Sequence, residues 1–167
     1  MTLVSNENGM TSSVSTLNEN ARAWVAALRS RHYSQNRGAL KVTGGSGRAD
    51  GYCCLGVACE ISGLGRWLDE GIKQAYRVRM SNGEYASSVD VLPTPVADWL
   101  GIATLEGSPM AGALMNADGS YDVPTWASLA QANDAGVSFA DIADLIEMNA
   151  RELFRVNLVD LDSAVGE

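Results

Sequence analysis

Between residues 51 and 63 the chain reads GYCCLGVACEISG, which places its three cysteines, Cys53, Cys54 and Cys59, within seven positions at what reads as a helix start. A thiol at a helix N-terminus has its pKa lowered by the unpaired amides there. Papain-like cysteine peptidases and amidases use this setting, with a strand or loop delivering the nucleophile to the helix. Such chemistry needs a base, and the one histidine is His32, upstream of the thiols. Chain order does not exclude a Cys53–His32 dyad, because convergent enzymes differ in that order. The alternative is packing. Positions 54, 57, 58 and 61 (Cys, Val, Ala, Ile) recur at the spacing of a buried helical stripe, which turns Cys54 into the core as a small hydrophobe and leaves Cys53 pointing elsewhere.

Metal and cofactor chemistry finds no pattern to stand on. Two adjacent cysteines and a third five positions on lack the paired C-x-x-C spacing of zinc sites, and His32 would be the sole nitrogen ligand. No P-loop, no G-x-G-x-x-G after a strand and no H-E-x-x-H occurs, so neither a metal nor a cofactor is expected. The remaining candidates are for binding: Arg37 and Tyr52 beside the cysteine helix, Trp67 after it, and Arg77 and Arg79 further on. Arginines suit a small anionic, nucleotide-like ligand through bidentate contacts.

Elements must position these groups. LNENARAWVAALRSRHY carries Ala21, Trp24, Val25 and Leu28 at helical spacing, with Asn18 or Asn20 as cap. GALKV and GYC read as two short strands around the glycine-rich GGSGRADG turn, the second feeding into the cysteine helix. A second hairpin follows from Asn82-Gly83 between the alternating segments of YRVRMSNGEYASSV. VLPTPVADWLGI reads as a helix capped by Thr94, with Pro95 at its first position and an end near Gly101. PTWASLAQAND reads as another helix, and Ser138 with Asp141 opens a further one, with Val137 as its hydrophobic staple. The fold expected is α+β, with helices packed around a small antiparallel sheet of about four short strands. Residues 17–158 form its single domain, between a disordered tail over 1–16 and an acidic tail over 159–167.

Composition narrows the partners. A chain of 167 residues with 46% hydrophobic residues can bury a core, and it has no apolar run approaching the roughly 18 residues of a membrane span. The N-terminus lacks the layout of a secretory signal, so a cytoplasmic location and free thiols are expected. A net charge of −8 repels phosphate backbones unless the basic residues gather on one face, which counts against nucleic acid. A helix-turn-helix can still be laid on residues 136–156, with Ile142 and Ala143 in the first helix, Asn149 capping a second, and Arg151 and Arg155 on the reading helix. One amphipathic helix explains the same residues, and Asp141, Asp144 and Glu147 would oppose phosphate.

RGAL at 37–40, YCCLGVACE at 52–60, VLPTPVADWLGI and NDAGVSFADIADLIE at 133–147 together resemble a family of small uncharacterised proteins encoded by bacteriophages, prophages and their hosts. The resemblance covers residues 20–148 and implies a phage accessory protein in the host cytoplasm. The function expected is therefore non-enzymatic binding of a host protein or small molecule, as in counter-defence. A helix-turn-helix regulator and a thiol enzyme using Cys53 and His32 are the alternatives.

Overall fold

The computed structural model describes residues 17–110, 112–122 and 124–155; the two expected tails, 1–16 and 159–167, lie outside the described residues. Helix α1, Glu19–Arg29, is capped by Asn18, whose Oδ1 accepts the Ala21 N–H at 2.7 Å. Its stripe of Ala21, Trp24, Val25 and Leu28 is buried, and the helix packs against three others. One of these is α2, Cys54–Ser62, whose first six residues are all buried, as expected of a helix that is apolar on every side. The Trp24 indole donates to the Cys54 carbonyl at 2.9 Å, locking the two together.

The sheet has six strands: β1 Ser34–Gln35, β2 Lys41–Val42, β3 Gly51–Tyr52, β4 Gly65–Glu70, β5 Lys73–Arg79 and β6 Tyr85–Ser88. Their order is β1-β3-β2-β5-β4, with β6 sharing with β2 the same edge of β5. Two expectations change here. The sheet is mixed, because β1 runs parallel to β3 (Ser34↔Gly51, Gln35↔Tyr52). The strands unanticipated from sequence are β1 and β4, and β4 carries Trp67. Both anticipated hairpins are present. One face of the sheet, carrying Tyr52, Trp67, Tyr76 and Val78, packs on the core around α2.

Helix α3, Thr94–Leu100, has Pro93 rather than Thr94 at its cap and ends through Gly101 at φ +78. There the Ile102 N–H reaches the Ala97 carbonyl and the Gly101 N–H that of Asp98, a Schellman pair. The expected helix over PTWASLAQAND is shorter. Only Leu129–Asp134, α4, is helical, because Ser128 caps it by accepting the Gln131 N–H, while the Trp126 carbonyl is taken by the Leu114 N–H. Helix α5, Phe139–Met148, starts at Ser138 as expected. The last helix, α6, is Ala150–Leu153, a single turn. Between α5 and α6 the buried Asn149 accepts the Met115 N–H at 2.7 Å and donates to the Met115 and Leu145 carbonyls, each at 2.8 Å. Leu153 and Phe154 close the core from the far end of the chain, with Phe154 bridging Ile102.

Candidate functional site

Cys53 is the N-cap residue of α2, and its Sγ accepts the Gly56 N–H at 3.4 Å. The helix-start amides do favour the thiolate, as the sequence suggests, but burial outweighs them: Cys53 is 5% exposed, and its pKa rises from 9.0 to about 11. Burial also pushes Cys54 and Cys59 well above the ordinary thiol range. His32 sits exposed just after α1, where its backbone N–H donates to Ser30 Oγ, and among the described residues no hydrogen bond joins it to Cys53. The thiols are therefore packing groups with a measurable signature. Above about pH 9 the folded state keeps a proton that the unfolded chain has released, so stability should be level below pH 9 and fall by roughly 3 kcal/mol for Cys53 alone as pH approaches about 11. Urea unfolding across that range, together with a thiol reagent that labels the cysteines at pH 8 only after denaturant is added, checks this.

The structure divides the sequence-derived ligand residues among three places. Tyr52 and Trp67 meet on the inner sheet face, where they flank Lys41, a residue the sequence reading passed over. The Lys41 Nζ lies 5.1 Å from each ring centroid and 3.5 Å from Asp50 Oδ2. Trp67 donates its indole N–H to Glu60 Oε2 at 2.8 Å, while Tyr33 meets Tyr52 edge to face and Tyr76 packs tilted against Trp67. Desolvation alone would lower the Lys41 pKa, but Tyr52, Glu60 and Asp50 together raise it, so the ammonium stays charged with only 9% of the residue exposed. Lys41 with Asp50, and Tyr52 and Trp67 with Glu60, thus turn their polar heads on one another.

Arg77 and Arg79 point the other way. Alternation along β5 sets Lys73, Ala75, Arg77 and Arg79 opposite to Gln74, Tyr76 and Val78, and Arg66 of β4 lies directly across from Arg77. On this solvent face the Arg77 guanidinium stacks 3.9 Å over the centroid of Tyr85, which is half exposed. The face holds four of the chain's twelve Lys and Arg and, at its strand positions, one of its twenty Asp and Glu, Glu70. Among the described residues none of the four makes an ion pair; the pairs present are Arg29 with Asp144 and Glu147, Lys41 with Asp50, and Arg155 with Asp98. A third of the chain's basic residues are thus gathered on β4 and β5. The signal was already in YRVR, where the two arginines alternate with buried residues.

Arg37 is in neither place. It is exposed beside the α4–α5 turn, where a Cβ on Gly136 would come within 2.6 Å of its guanidinium. Near it a cavity of about 280 Å3 is lined by Gly38, Ala39, Cys53, Lys73, Asp90, Ala130 and Asp134, with the Gly38 N–H donating to Asp134 at 2.8 Å. Where a helix-turn-helix or one amphipathic helix could be laid on residues 136–156, two helices meet at Asn149, the second of them the four-residue α6. The exposed positions of α5 include Asp141, Asp144 and Glu147, the last two bound to Arg29 at 2.6 Å. Among the described residues no group of three or more His, Cys, Asp or Glu could hold a metal ion, and no helix is long and apolar enough to cross a membrane.

These features define an α+β domain with buried thiols, a lysine-centred aromatic cluster and one basic sheet face. The chain belongs to the family described as Domain of unknown function (DUF8296), whose model matches residues 17–150. No curated protein and no solved structure matches it.

Proposed function

We propose that this protein is a non-enzymatic phage accessory protein of the host cytoplasm, which holds an anionic partner, a host protein or a small ligand, on the outer face of its sheet and so acts in counter-defence. One observation carries the reading: Arg66, Lys73, Arg77 and Arg79 share a solvent face on a chain of net charge −8, and none has an ion-pair partner among the described residues. Arg66 stands directly across from Arg77, with Arg79 the next residue on the same face, and like charges so placed are electrostatically unfavourable without an anion to meet them. With Arg77 stacked on Tyr85, its planar guanidinium is held in place while its N–H edges stay free for a carboxylate or phosphate.

The remaining surface is strongly acidic, which disfavours a long polyanion and favours a compact partner that touches the basic face alone. Native mass spectrometry of the protein purified from a bacterial host, beside an Arg77→Ala/Arg79→Ala variant, tests the reading. The expected result is a bound host protein or small anion on the wild type that is lost from the variant and released by salt. An identical set of bound species on both proteins, or none on the wild type, overturns it.

A further inference from the structure

Strand β4 ends its side of the sheet: it pairs with β5 from Gly65↔Val78 to Glu70↔Lys73 and, among the described residues, with no strand beyond. The β4–β5 loop is Gly71-Ile72, with φ +80 at the glycine and no positive φ at the isoleucine, the type II′ pattern, which makes Glu70 and Lys73 the hydrogen-bonded closing pair. Alternation of the ladder then directs the backbone groups of Arg66, Leu68 and Glu70 to β5 and turns those of Trp67 and Asp69 outward. The edge is six residues long, unbulged and largely exposed; it contains no proline, and its charges, Arg66, Asp69 and Glu70, are of both signs, so a second copy can match them where a like-charged edge would be repelled.

We propose that the chain forms a two-fold dimer by antiparallel pairing of β4 with β4 of a second copy, centred on Leu68. In this register the outward backbone groups of Trp67 and Asp69 bond those of Asp69 and Trp67 in the second copy. On the solvent face Leu68 meets itself, and Arg66 meets Glu70 of the second copy twice over, once on each side of the axis. Neither Arg66 nor Glu70 has an ion-pair partner within the described residues. Just beyond the strand ends, Leu64 and Ile72 come opposite each other, and these are 41% and 73% exposed, among the most exposed large apolar residues described. No other centre does as well. Pairing about Arg66, Asp69 or Glu70 sets like charges face to face, and pairing about Trp67 sets Arg66 against Leu68. A two-fold axis perpendicular to the sheet also brings the two outer faces side by side, with Arg77 and Arg79 of each copy left for a partner.

Sedimentation velocity on the full chain, with Arg66→Glu, Glu70→Arg and the double swap, tests the dimer, and circular dichroism verifies that each variant is folded. The wild type should sediment at twice the chain mass. Each single reversal sets like charges opposite each other twice and should weaken the dimer about tenfold or more, and the double swap should restore it. Hydrogen exchange at the Trp67 and Asp69 amides should slow as the wild type is concentrated. A wild type still monomeric at about 100 μM, where even weak specific pairs form, overturns the proposal. So does a dimer indifferent to the single reversals, or a folded double swap that stays monomeric.

Discussion

Replacing Gly56 with alanine should leave little folded protein. Helix α2 approaches β2 so closely that a Cβ at this position would overlap the Leu40 carbonyl oxygen and lie 2.7 Å from the Leu40 carbonyl carbon. The obstacle is backbone that cannot retreat, because the same carbonyl accepts the Cys53 N–H at 3.1 Å and the Leu40 N–H is bound to Val89 at 2.7 Å. The helix would have to lift off the sheet and open the core that Cys54, Val57 and Ala58 share with their neighbours. A loss of roughly 3 kcal/mol or more is expected, a large part of the 5–15 kcal/mol that holds most domains folded. Urea unfolding and soluble yield measure it. Gly45→Ala, where no atom lies within 4 Å of the new methyl, serves as the control and should change little.

The second large effect belongs to Asn133, which is completely buried. Its Oδ1 accepts the Cys54 N–H at 3.1 Å and Gln35 Nε2 at 2.9 Å, and its Nδ2 donates to the Asn36 carbonyl at 2.8 Å. One side chain thus satisfies the start of α2, the end of β1 and the strand side chain beside it. Asn133→Ala strands a buried donor and a buried acceptor at once and should cost about 3–5 kcal/mol. Asn133→Asp keeps the acceptor but sets a buried carboxylate against the Asn36 carbonyl. Burial raises the pKa of that carboxyl in the folded state, so protonation on acidification favours folding and restores a donor. The deficit of the Asp variant should therefore shrink between neutral and mildly acidic pH while that of the Ala variant does not. Parallel urea titrations at the two pH values check the difference.

Local signals carried most of the architecture. Asn18, Gly101 and Ser138 mark helix ends through chemistry that operates within a few residues, and Asn82-Gly83 marks its hairpin in the same way. Strand β4 escaped because GRWLDE begins with glycine, sets Trp67 and Leu68 side by side, and is half solvated on both faces, so it lacks alternation. The burial stripe of α2 was legible, whereas the pKa of Cys53 was not, because the helix-start amides are visible in sequence and the degree of desolvation depends on distant residues. Grouping Tyr52 and Trp67 with Arg77 and Arg79 failed for a simpler reason: Trp67 is registered with Tyr76, the neighbour of Arg77, so the two sets fall on opposite faces. Asn133 and Lys41 read as ordinary polar residues, since a polar side chain becomes a hub only through partners brought to it by the fold.

The bonds of Asn133 have a consequence for how the chain is made. Its three partners lie 79, 97 and 98 residues upstream. Asn18 and Asn20 likewise wait for the Leu100 and Trp99 carbonyls, 82 and 79 residues away. During synthesis, helices and hairpins of the first hundred residues can form as they leave the ribosome, but the Cys54 amide and the Asn36 carbonyl stay unpaired until α4 emerges. High contact order of this kind slows folding, so the nascent chain passes a long interval with its cysteine helix assembled and still uncovered.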